Sequence, residues 1–171
     1  MKRAGAGLLV VALALALAPE IGRYAAERAL YRVTAALQLA ASRGSADSGP
    51  ALAQAAAAAH GAAGSLPGDW RPPNAEGAAL LLAGHADGAA EAFRRALALG
   101  ERPEIDLNLG RAYAALGRLD GAAAAVLRAG WVSPAVLDAI GRDTRDRLLA
   151  EVERLAEELG AGRLATPPPL P

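Results

Sequence analysis

One recurring interval, that from Gly84 to Gly117, constrains this chain more tightly than its composition does. Gly77, Gly84, Ala89, Phe93 and Ala96 are each followed, at this same interval, by Gly110, Gly117, Ala122, Val126 and Ala129. Matches between alanines mean little in a chain so rich in alanine, so the inference rests on the two glycine pairs and on Phe93/Val126. Self-similarity at such a period is what stacked helical hairpins produce. Each unit is two helices and their turns, and it cannot bury its apolar face alone.

The second copy is the clearer one. From Pro103 to Pro134, Leu109, Gly110 and Tyr113 fall at helical spacing, Gly117 breaks the run, and Ala122, Val126 and Ala129 begin a second stripe that Pro134 ends. A side chain at Gly110 would hold two helices apart, and Tyr113 fills the space beside it. Gly117 can take the left-handed conformation that closes a helix, after which Arg118, Leu119 and Asp120 turn the chain. In the earlier copy Glu76 stands in the place of Leu109 and Leu80 in that of Tyr113. The pattern resembles the tetratricopeptide (TPR) repeat, W-x2-L-G-x2-Y followed by a small residue, an aromatic and a closing proline. Asp106 replaces the family's first Trp, and Val126 its later aromatic.

The resemblance implies a protein-interaction scaffold that carries out no reaction, with the first helix of each hairpin lining a concave surface on which peptide ligands lie. On that basis Leu107, Asn108, Arg111 and Ala115 are the inward positions, with Asn74, Ala78 and Leu81 one repeat earlier. Asn108 can both donate to and accept from a peptide backbone, and Arg111 can grip a carboxylate. The chain lacks the fuller lysine set of the family members that clamp a C-terminal carboxylate.

Composition agrees with an all-α fold in one domain of 171 residues. The hydrophobic fraction of 53% is largely alanine and only 4% is aromatic, so helices form easily but each buries little area. Eighteen basic and 18 acidic residues leave no net field to steer nucleic acid. The absence of cysteine removes thiolate chemistry and disulfides. His60 and His85 sit beside glycines at expected helix ends with no ligand cluster at metal spacing. Ser42, Ser45, Ser48, Ser65 and Ser133 occur without a nucleophile motif, and there is no phosphate-binding loop. Glu151, Glu153, Glu157 and Glu158 read as a solvated helix face. No catalytic residue, metal, cofactor or small-molecule substrate is therefore expected.

The organisation follows from the segments. Residues 1–18 pair Lys2 and Arg3 with a charge-free run from Ala4 to Ala18, the pattern of a signal peptide or signal anchor. Pro19 directly after Ala16-Leu17-Ala18 disfavours cleavage there. The expectation is a single-pass membrane protein with its bulk on the periplasmic side, the alternative being secretion to the periplasm after cleavage. Residues 19–64 read as a helical lead-in and degenerate repeat, with a loop at 43–50 and an alanine helix from Ala51 partnering Val33 to Ala41. Residues 65–141 carry the two TPR-like hairpins. Asn74 is placed to cap the helix bearing Gly77, and Trp70 to cover the end of the repeat core. Residues 142–160 form an amphipathic helix in which Leu148, Val152, Leu155 and Leu159 share a face, read as a cap for the array. Asp143 or Thr144 starts it and Gly160 closes it. The proline-rich tail, 161–171, is expected to be extended and mobile. The function expected is docking of a protein or peptide partner in the cell envelope; the alternative is a structural accessory subunit held in a larger membrane complex by its terminal helices.

Overall fold

The computed structural model describes residues 2–43 and 48–169 and is all-helical over them. Met1, part of the loop expected at 43–50 and the last two residues of the tail lie outside the described residues. Over the described residues seven α-helices follow one another: α1 Lys2–Arg43, α2 Gly49–Ala63, α3 Arg71–Leu82, α4 Ala86–Leu99, α5 Pro103–Ala115, α6 Leu119–Val132 and α7 Arg142–Gly160. A 3₁₀ turn, Pro134–Ala139, stands between α6 and α7. Each helix packs on the next, with α7 reaching α6 and the 3₁₀ turn.

Two hairpins, α3/α4 and α5/α6, share their closures residue for residue. Gly84 and Gly117 have φ of 82° and 72°, values that only glycine adopts without strain. In each, the amide of the following residue donates back to the helix, His85 to the Leu80 carbonyl at 2.8 Å and Arg118 to that of Tyr113 at 2.9 Å. This six-to-one bond ends the helix and aims the chain into its partner. The close approach repeats as well. A Cβ on Gly77 would stand 2.7 Å from the Phe93 ring, and one on Gly110 would stand 2.6 Å from Val126 Cγ2 and 3.2 Å from the Ala122 carbonyl oxygen. Two further glycines, outside the pattern read from the sequence, fit the same scheme: Gly88 faces Leu80 as Gly121, its counterpart at the repeat interval, faces Tyr113.

The main core lies between α4, α5 and α6. It is built from Ala89, Phe93, Ala96, Ile105, Leu109, Ala112, Tyr113 and Ala125, with Trp70 and Ala122 packed against its edge. Ala129 is buried on α6 as well. A smaller cluster sets Val33 of α1 on Ala55, Ala56 and Ala59 of α2, the partnership expected for the lead-in. A third joins Ala26 and Leu30 to Ala62 and Leu66. On α7 only Val152 is buried; Leu148, Leu155 and Leu159 are half-covered.

Several expectations are corrected. Among the described residues no helix is long and apolar enough to cross a membrane, which overturns the single-pass anchor. The charge-free run of about 15 residues rises only ~22 Å, short of the ~30 Å hydrocarbon core, and α1 then continues through Glu20, Arg23, Glu27, Arg28 and Arg32. Pro19 lies inside this 42-residue helix and does not end it. Asn74 does not cap α3; the helix begins at Arg71 with Pro72 and Pro73 in its first turn. Gly141 occupies the N-cap of α7 and Ala161 its C-cap, so neither Asp143 nor Thr144 starts the helix and Gly160 is its last residue. In the tail, the Pro168 carbonyl accepts from Arg128 at 2.7 Å.

Gly110→Ala is expected to cost about 1–3 kcal/mol by overpacking against Val126 and a backbone carbonyl, with Gly77→Ala behaving alike against the Phe93 ring. Gly61, inside α2, has no atom within 4 Å of an added Cβ, so Gly61→Ala should stabilise by about 0.5–1 kcal/mol. Thermal or urea melts of the three variants check the contrast.

Candidate functional site

Alanine sets the shape of the face between α1 and α3. The odd-numbered helices approach one another, α1 with α3 and α3 with α5, whereas α2, α4 and α6 make no such contacts among the described residues. The array therefore curves with α1, α3 and α5 on its inner side. Between α1 and α3 this curve leaves a cavity of about 480 Å³, lined by Leu30, Tyr31, Thr34 and Leu37 on one wall and by Trp70, Asn74, Ala75 and Ala78 on the other. Ala75 and Ala78 contribute only methyl groups to this lining, so a larger residue at either position would narrow the cavity.

Charge closes one end. Arg71 donates to both Glu27 oxygens, at 2.7 and 3.1 Å, and to Asp69, tying α1 to the start of α3. The pair separates this cavity from a second one of about 620 Å³ lined by Gly22, Ser65, Leu66 and Pro67. The Asp69 carboxyl is held below its usual range by its hydrogen bonds from Arg71, and the same bonds push the Arg71 guanidinium up. Trp70 is fixed from the other side by Arg102, whose guanidinium lies 4.9 Å from the ring centroid.

The residues expected to contact a partner fall in different surroundings. Asn74 lines the α1–α3 cavity, and its Oδ1 is buried without a hydrogen-bond partner. Leu81 is half-buried against the main core. Leu107 is 3% exposed and faces the interior, so it is not available to a ligand. Asn108 accepts from Arg111 at 3.0 Å, and Arg111 also reaches the Ala139 carbonyl at 3.4 Å, so the guanidinium is engaged within the fold. Ala115 is exposed. The structure thus brings Asn74 and Ala78 together with α1 residues that the sequence pattern assigns to a lead-in.

Two carboxylates occupy core positions. Glu76, buried, accepts from His60 Nδ1 at 3.2 Å and pairs with Arg95 at 3.0 Å, joining α2, α3 and α4. His60 thus gains a carboxylate neighbour from α3 that its own stretch of sequence does not supply. Asp106 is fully buried and neither of its oxygens has a hydrogen-bond partner. Burial first, and then the neighbouring charge of Glu101, push its carboxyl up to about 7, while Arg128 opposes them. Arg128 spends its donors elsewhere, Nε and one terminal nitrogen on Glu101 and the other on Pro168. Both acids stand where an apolar residue was due, which is the one signal in the sequence that marks them. No group of three or more potential metal ligands comes together among the described residues.

The chain matches no protein-family model, and no curated protein and no solved structure is significantly similar to it.

Since the Asp106 carboxyl titrates higher in the folded chain than in the unfolded one, the folded state binds the extra proton between about pH 4 and pH 7. Stability should fall across that window and level off above it. Asp106→Asn should remove the slope and exceed wild type by a few kcal/mol at pH 8, read by urea titrations at pH 4.5, 6 and 8.

Proposed function

We propose that this chain is a TPR-like protein-interaction scaffold that docks an extended peptide segment of a partner on its inner curve, centred on the cavity between α1 and α3. The observation that supports this most is the groove itself, apolar along Leu30, Leu37 and Ala78 and edged by Tyr31, Thr34, Trp70 and Asn74. An extended peptide needs apolar pockets for alternate side chains and a few donors and acceptors for its backbone; the Asn74 amide nitrogen can donate, and the Thr34 hydroxyl, which donates to the Leu30 carbonyl, can accept. The TPR resemblance supports the same face, since the hairpin closures and close approaches recur from one hairpin to the next at a single interval. Asn108, Arg111 and Ala115 of α5 extend the surface, with Arg111 held back by its internal bonds. α7 serves as the cap, covering α6 and the 3₁₀ turn.

Export with removal of residues 1–18 fits this role and would leave Pro19 at the first helical position of a shortened α1, where a missing N–H costs nothing. The partner is then another protein of the cell envelope. No cofactor or catalysis enters the reading. A second reading, permanent incorporation into a larger assembly, draws on Leu17, Ile21, Tyr24, Tyr31 and Leu39, which are all exposed on α1.

The test is selection of peptides from a random library on the full chain, followed by titration with Trp fluorescence. Peptides that bind should lose at least about tenfold in affinity with Ala78→Trp, which fills the groove, and little with Arg111→Ala. If no peptide is selected, or if affinities ignore Ala78→Trp, the groove reading falls.

A further inference from the structure

The C-terminal segment is the least expected contact in the molecule. A proline run has no amide donors and carries bare carbonyls, so any protein that orders it must bring donors to it. Here α7 ends with the Arg163 and Leu164 amides donating to the Glu158 carbonyl at 2.8 and 3.2 Å. The chain then returns to α6, where Arg128 donates to the Pro168 carbonyl. Leu164 and Pro168 are half-covered, while Ala165, Thr166 and Pro167 are exposed. One guanidinium is thus the polar tie across this return.

That guanidinium is contested. Glu101, in the α4–α5 connection, takes Nε and one terminal nitrogen of Arg128 and leaves a single nitrogen for the tail. Asp106 of α5, which feels the charge of both, is sealed from solvent with two unfilled oxygens. Glu101 and Arg128 are the charged groups that act on Asp106 among the described residues, and Arg128 in turn responds to both acids. A neutral Asp106 asks nothing of Arg128. An ionised one is a buried charge without a partner, and the guanidinium that acts on it is the one now on Pro168.

We propose that Arg128 is a latch for the C-terminal proline segment, holding it through the Pro168 carbonyl while Asp106 is neutral and releasing it when Asp106 ionises and draws the guanidinium inward. Release sets free an extended Thr-Pro-Pro-Pro stretch, the kind of preformed strand that aromatic-lined grooves take up. Because Asp106 sits near neutrality, the exchange falls in a pH range that a living compartment can cross.

The amides of Ala165 and Thr166 and the Arg128 Nε–H report the latch directly by ¹⁵N heteronuclear NOE on the full chain between pH 5.5 and 8.5. Wild type should show a tail that is ordered at pH 5.5 and mobile at pH 8.5, with the Arg128 signal shifting over the same step. Asp106→Asn, a neutral copy of the acid, should keep the tail ordered throughout; Arg128→Lys, which keeps the charge but loses the fork, should leave it mobile throughout. Helical circular dichroism on each sample separates a loosened tail from a loosened fold. A wild-type tail that is equally ordered or equally mobile across the range overturns the latch, and so does a pH step that survives in Asp106→Asn.

Discussion

The contact on which the array depends is backbone against side chain at two glycines. At Gly77 the Phe93 ring, and at Gly110 the Val126 methyl, occupy the volume a Cβ would need. Such contacts bring the axes of each hairpin together, and only then do the surrounding alanines touch anything. Ala89, Ala96, Ala112 and Ala125 are fully buried although each contributes a single methyl. At the separation that leucine would impose these methyls would face voids, and dispersion falls steeply with such a gap. A core made from small residues is therefore stable only as a closely approached one.

Close approach within hairpins also sets the curvature between them. The inner helices α1, α3 and α5 touch in series while α2, α4 and α6 stay apart. Ala75 and Ala78 on α3 present so little to α1 that a groove remains between the helices. Long side chains at the start of α3 then hold its rim, Arg71 paired with Glu27 of α1 and Trp70 beneath Arg102. The same choice of small residues that makes the hairpins close leaves an open groove between α1 and α3.

The hairpins are legible in the sequence because their signals are local and periodic. Gly84 and Gly117 announce a helix end wherever they fall, and Gly77 and Gly110 repeat with their partners Phe93 and Val126. The groove is less legible, since half of it belongs to α1, whose Tyr31 and Thr34 carry no repeat signature; only the fold brings them opposite Asn74. The extent of α1 escapes a sequence reading for a related reason. A proline after an apolar run reads as a boundary, yet Pro19 is accommodated within a single helix that goes on to bury Ala26, Leu30, Val33 and Ala40. Arg128 cannot be found from spacing at all, because its partners Glu101 and Pro168 are remote in sequence and lie on opposite sides of it.

Glu76 and Asp106 show how the same departure from apolar patterning leads to two outcomes. Each takes a position that the hairpin pattern assigns to an apolar side chain. Glu76 is long enough to reach past the helix packing to His60 on α2 and Arg95 on α4, so its charge is shared with groups that are themselves partly in water. Asp106 is one methylene shorter and ends inside the core, where Arg128 can be sensed but is already committed to Glu101 and the tail. The first acid joins three helices through these two partners. The second can keep its place cheaply only by holding a proton, and that makes the α5–α6 hairpin sensitive to the pH around it.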